Sequence, residues 1–289
     1  MILNTVSFLP AAMMLASAVI HAAIGLWLKK SDDKLAFRAV LALSTALLVL
    51  PFAFIIPLPA AQAWPFLIGG AVIHFVYQLS QISAFERGDM GLVYPVMRGM
   101  APALAAGFAF LILKETLSPI ELSGLLIAAF ALIAFGWPSR GRPERWGSAM
   151  IFAIICGIMI AFYSVIDGAG MRIAREGQGQ IWSYLVWFFL LDWVFLVPVA
   201  IYMRRNQLST AVKGAMRSGA IAGIASLFSY GLALIAFSLA PIGPMSAMRE
   251  TSVVFGAVFA AVILKEPFGQ RRIILAVILS AGLIAMQFG

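Results

Sequence analysis

Ten stretches of about twenty apolar residues follow one another along this chain with only short polar breaks between them. A helix needs about 20 apolar residues to cross the hydrocarbon core of a bilayer. The runs lie at 6–28, 35–57, 64–85, 91–113, 118–137, 147–169, 181–203, 217–239, 242–264 and 268–288. They are too long for membrane β-strands and do not alternate as such strands do. Composition points the same way. The chain is 63% hydrophobic and only 11% charged, with mean hydropathy +1.00, whereas a soluble domain carries about 25% charged residues. The expected fold class is therefore an all-α polytopic membrane protein with ten transmembrane helices. The longest polar stretches, "PSRGRPERW" and "RRNQLSTAVKGAMRS", leave no room for a soluble domain. The N-terminus has no basic region and no small-residue cleavage site, and reads as the first spanning helix. Cys156 is the only cysteine, which excludes an intrachain disulfide and a Cys-rich metal site.

The net charge of +8 is not a nucleic-acid signal, because the cations sit in the short connections. Those after the odd-numbered runs hold 15 Lys and Arg, Arg38 and Arg87 among them. Those after the even-numbered runs hold three: Lys114, Arg172 and Arg175. The positive-inside rule places the odd connections in the cytoplasm and both termini outside. Two cations, Arg98 and Arg249, fall inside runs.

Those two arginines are related. "RGMAPALAAGFAFLILKE" runs from Arg98 to Glu115, and "RETSVVFGAVFAAVILKE" from Arg249 to Glu266. Both end in Lys-Glu after the same interval. The chain thus divides into a first five-helix repeat (1–137), a connecting loop (138–146) and a second five-helix repeat (147–289). Five is odd, so the second repeat enters the membrane inverted. That is a plan of secondary transporters, with the site between the halves near the midplane.

"FERGDMGLVYPVMRGMAPALAAGFAFLILKE" and "PIGPMSAMRETSVVFGAVFAAVILKE" resemble the drug/metabolite transporter superfamily in its ten-helix form, built from two EamA-type repeats. "AFYSVIDGAGMR" is similar to helix 6 of one bacterial branch. The resemblance implies a central cavity lined mainly by helices 3, 4, 8 and 9. It also implies movement of small metabolites, from amino acids and sugars to amines and drugs. That branch often carries His-Ala-x-Trp-Asn in helix 1; here "HAAIG" keeps His21 but has Ile24 and Gly25 at the last two places. Many members have cytoplasmic termini, where the charge count gives the opposite.

A charge at membrane depth costs at least about 2.5–3.5 kcal/mol and needs a reason. For Arg98 and Arg249 the reasons are snorkelling to the nearer surface, an internal ion pair, or a planar guanidinium facing the cavity to hold a carboxylate or phosphate. Glu250 follows Arg249 and is expected to neutralise its surroundings, so Arg98 is the stronger clamp. His74, Tyr77, Gln78 and Gln81 form one helical stripe, which in lipid must face protein or water. Ser226 and Tyr230, with Ser229, form its counterpart, and Tyr94 and Tyr163 complete the candidate substrate pocket. Asp167 lies before "GAGMR", where a surface or helix-pairing role competes with a site role. Asp192 is deep in a run that the resemblance makes peripheral, and either it or His74 is a candidate proton carrier. Lys114-Glu115 and Lys265-Glu266 are read as helix-end chemistry, and Gly219 and Gly223 as close helix packing.

The expected protein is a secondary transporter of the bacterial inner membrane and not an enzyme. It needs no cofactor and no metal. Its partners are a small-molecule substrate, the lipid bilayer and room for a coupling proton or ion, with no nucleic acid, and it acts as a monomer. The alternative function is a flippase for a lipid-linked sugar or other amphiphile. Against an enzyme, no paired-histidine or Ser-His arrangement is present.

Overall fold

The computed structural model describes residues 8–88, 90–135, 146–176, 181–263 and 270–288. Among them every regular element is helical. The first half holds α1 (Phe8–Lys30), α2 (Lys34–Val49), α3 (Trp64–Arg87), α4 (Met90–Phe108) and α5 (Pro119–Phe135). The second holds α6 (Trp146–Glu176), α7 (Ile181–Leu191), α8 (Trp193–Arg204), α9 (Leu208–Leu239), α10 (Ile242–Arg249), α11 (Ser252–Ile263) and α12 (Gln270–Phe288). Among the described residues, six segments are long and apolar enough to cross a membrane: Phe8–Lys30, Lys34–Phe54, Ala61–Arg87, Val96–Leu113, Gly147–Glu176 and Ile181–Leu239. Pro119–Ala134 and Ile273–Met286 are shorter apolar helices.

Local chemistry sets the helix ends. The Asp33 side chain accepts from Ala36 N–H at 3.0 Å and caps α2. Pro51 has no N–H to donate, and α2 gives way to a 3-10 turn at Leu50–Phe54. Ser118 and Glu121 form a reciprocal capping box, at 2.7 and 3.1 Å, with Pro119 opening α5. α4 loosens into a π turn over Ala109–Leu113 and stops at Lys114, whose φ of 58° is left-handed. Lys114 is thus a helix terminator, as expected. Its neighbour Glu115 accepts from Ile242 N–H at 3.0 Å and pairs with Arg172. The second pair, Lys265 and Glu266, lies outside the described residues, as do most of the 138–146 loop and its arginines.

Two of the apolar runs are broken. The run at 242–264 is α10 and α11 with a turn at Glu250 and Thr251. There the Thr251 hydroxyl donates to Met248 O at 2.7 Å, and Val253 N–H reaches only Glu250 O. A side chain competing for the ladder in this way bends a helix. The run at 181–203 is α7 and α8, parted at Asp192.

α3 and α4 pack on α6; α9, α10 and α11 pack on α1; α5 packs on α12, and α2 on α9. Small residues allow close approach. A Cβ at Gly223 would meet Leu41 O at 2.9 Å, and one at Gly219 would meet Val40 and Phe37 O, so both glycines seat α9 on α2 as expected. Gly124 and Gly282 do the same for α5 and α12. Large apolar side chains such as Leu126, Phe130, Ile224 and Val277 point outward, into the position lipid occupies.

Candidate functional site

Polar side chains from several helices line a cavity of about 50 Å³ between them. α1 contributes His21; α2, Arg38; α3, His74, Tyr77 and Gln78; α6, Tyr163. α7 contributes Phe188 and Phe189, with Asp192 at the α7–α8 junction. Ser226, Ser229 and Tyr230 come from α9, and Arg249 from α10. Of the ten residues singled out in sequence, His74, Tyr77, Gln78, Tyr163, Ser226, Tyr230 and Arg249 line this cavity. Arg98, Gln81 and Tyr94 do not.

Arg98 takes the internal ion pair among the readings open to it. It is 0% exposed, and it reaches neither the cavity nor a membrane surface. Its guanidinium pairs with Glu250 at 3.1 Å and contacts His21. The Tyr94 ring lies 5.5 Å from it, and Tyr94 itself bonds Ser252 at 3.3 Å. The expectation that Glu250 would neutralise Arg249 is reversed. Neighbours in a helix point about 100° apart, so Glu250 turns to α4 while Arg249 turns to the cavity.

Arg249 donates to Tyr163 OH at 2.9 Å and lies 4.8 Å over the Tyr230 ring. No carboxylate pairs with it among the described residues, and its Nε has no hydrogen-bond partner. Arg38 is the residue that sequence reasoning misplaced. Counted as a loop cation, it is buried on α2, donating to Gln81 Oε1 at 2.6 Å and Tyr77 OH at 3.3 Å. Gln81 therefore acts behind the wall, by holding Arg38. The available signal was position: Arg38 is one turn inside α2, on the face that carries Leu41 and Thr45.

Two acids also move from margin to centre. α6 continues to Glu176, so Asp167 is not at a helix end. The glycines after it do not break the helix; Gly168 and Gly170 make room for Ile242 and Tyr184. Asp167 is fully buried, bonded to His74 Nε2 at 2.8 Å and accepting from Tyr230 OH at 2.5 Å. Asp192, expected to be peripheral, lines the cavity and accepts from Gln78 Nε2 at 2.8 Å. The lining comes from α1, α2, α3, α6, α7, α9 and α10, a wider set than the resemblance implied, and α4 stands behind it.

Apolar helices facing outward around a buried polar cavity define a multi-pass integral membrane protein. Residues 9–137 match the model of the EamA-like transporter family, in agreement with the resemblance read from the motifs. One solved crystal structure shares the fold over 96% of this chain and 97% of its own, with a TM-score of 0.71 at 13% identity. No curated protein matches the chain.

Proposed function

We propose that this protein is a secondary active transporter of the bacterial inner membrane, moving a small amphipathic metabolite that bears a carboxylate or other anionic group. One observation carries the reading: Arg249, itself buried, stands in the wall of the cavity with no carboxylate partner among the described residues. A guanidinium held at membrane depth at such cost is suited to a planar anion, which it meets with two parallel hydrogen bonds. Arg38, the second cavity cation, adds to the field. Arg98 becomes a structural residue.

Ten spans in two inverted five-helix repeats suit the packing. Exchanging the halves turns α3 on α6 into α9 on α1, turns α4 on α6 into α10 and α11 on α1, and returns α5 on α12 to itself. The breaks in the helices that carry Arg249 and Asp192 match the discontinuous helices around transporter sites. A cavity of about 50 Å³ is far below the roughly 300–1,000 Å³ of small-molecule sites. The halves must therefore part to admit a substrate, as alternating access requires.

The test is exchange of radiolabelled glutamate, succinate and inorganic phosphate across proteoliposomes. Arg249→Ala is expected to lower exchange at least tenfold, with Arg249→Lys recovering only part. Wild-type exchange rates in Arg249→Ala would end the anion-clamp reading. A thermal-shift screen of metabolites finds the physiological ligand, because binding to the folded state raises its melting temperature.

A further inference from the structure

Behind the cavity wall lies a group of side chains that an anion clamp does not need. Asp167 is fully buried and pairs with no arginine or lysine among the described residues. Its Oδ2 is shared by His74 and Tyr230, and its Oδ1 has no hydrogen-bond partner among them. Space for that second oxygen exists because residue 70 is glycine; a Cβ there would lie 2.7 Å from it. A carboxylate held this deep without a cation is costly by several kcal/mol. A proton on the pair removes that cost, as imidazolium beside carboxylate or as imidazole beside carboxylic acid.

His74 gives the pair its way out. It stands in the cavity wall with Tyr230, while Asp167 is enclosed behind them. The groups around it are defined on every side. Tyr163 of α6 stacks on the His74 ring at 4.3 Å, and Tyr77 of α3 lies edge-on at 6.1 Å. α2 supplies Arg38 beyond Tyr77. α7 supplies Phe188 at 5.1 Å, Tyr184 against Gly170, and Asp192 at its end. α9 supplies Tyr230, and α10 supplies Arg249 over the Tyr230 ring. The other buried acid, Glu250, is held by Arg98 and does not line the cavity.

We propose that His74 and Asp167, bridged by Tyr230, form a proton-binding site that opens through the cavity and couples proton movement to the transported anion. His74 takes a proton from cavity water, and the pair passes from a net charge of −1 to zero; the reverse step returns the proton to water. Imidazole exchanges protons readily near neutral pH. Arg249 links the two ligands. With the pair empty, the Asp167 charge draws on Arg249 through Tyr230 and weakens its hold on an anion. With the pair loaded, Arg249 is available. Proton and anion therefore favour each other's binding, and by linkage the effect is reciprocal. They travel together.

This inference rests on the transport reading, and its experiment separates the two. The full chain is reconstituted in liposomes containing the pH dye pyranine, with voltage clamped by potassium and valinomycin. Labelled glutamate, succinate and phosphate are supplied in turn, and the ratio of protons to anions moved is recorded. In the wild type, anion entry is expected to carry protons at a fixed ratio. His74→Gln and Asp167→Asn lower that ratio at least tenfold, whatever happens to the rate, and Tyr230→Phe lowers it by a smaller factor. A purely structural role slows both fluxes and leaves the ratio intact, which overturns the proposal. Anion flux in the wild type without any dye response overturns it too, even if neither variant folds. Failure of the transport reading looks different: no labelled anion moves at all.

Discussion

Arg98 and Glu250 are 0% and 1% exposed, and each leaves one polar atom, Arg98 Nε and Glu250 Oε2, without a partner. An ion pair in such a place holds only while both charges are present. Removing one strands the other in a low dielectric, at a cost of about 3–5 kcal/mol. Arg98→Ala is expected to lower stability by that order in a detergent unfolding titration. An Arg98→Met, Glu250→Leu double variant should recover much of the loss, because it buries no charge. Equal loss in the single and double variants would show that packing and not charge holds α4 to the α10–α11 turn. At the same scale lies the clasp between Asp33 and Arg204, with bonds of 2.5 and 3.1 Å. Partial burial opposes ionisation of Asp33, but the Arg204 guanidinium and the Ala36 N–H outweigh it and hold the carboxyl below its usual range. The folded state thus favours the ionised form. The resulting stability is present above the ordinary aspartate value, about 3.9, and is lost as pH falls below it. Asp33→Asn should flatten that acid limb of a melting-temperature profile, by lowering the melting temperature at pH 7 while changing little in acid, where the wild type has already lost the contribution.

At the scale of elements, helix ends and crossings are set by single residues. Lys114 ends α4 in a left-handed conformation, which costs a side-chain-bearing residue about 1–2 kcal/mol. Lys114→Gly should therefore stabilise the protein, by up to about 1 kcal/mol, provided that the exposed bond from the Lys114 amine to Leu111 O adds little. A drop in the unfolding midpoint would show that this bond matters more than the strain. Where α9 crosses α2, Gly223 leaves no space for a side chain against Leu41 O and Ser44. Gly223→Leu must push the helices apart, with a destabilisation of about 1–3 kcal/mol. The apolar runs located these elements, because hydropathy over twenty positions averages out local detail, but not all of their ends: α6 continues past its run to Glu176, and α9 begins at Leu208, inside the stretch read as a polar connection. The breaks at Asp192 and Glu250 were not legible. They depend on one hydroxyl or one junction inside an otherwise uniform apolar run.

For the molecule as a whole, the stripe on α3 and its counterpart on α9 identified the cavity wall. Polar side chains repeating every turn in an apolar helix have nowhere to face but inward. The partners across the cavity could not be read in the same way. His74 and Asp167 are 93 residues apart, Gln78 and Asp192 are 114 apart, and Arg98 and Glu250 are 152 apart. Such pairs are chosen by helix rotation and depth, which leave no local mark.

What the sequence by itself determined was the solvent, the helical class, the matching spacing from each of the two arginines to a Lys-Glu pair and most of the polar wall. Each follows from a property summed along the chain: apolar length, periodicity or repeated spacing. Which arginine faces the cavity was decided by the tertiary structure alone. Arg98 and Arg249 each precede a Lys-Glu pair by the same interval, yet a single carboxylate, Glu250, turns to one of them and leaves the other facing the cavity. Direction around a helix and the distance between remote helices made that choice, and neither is written in the order of residues.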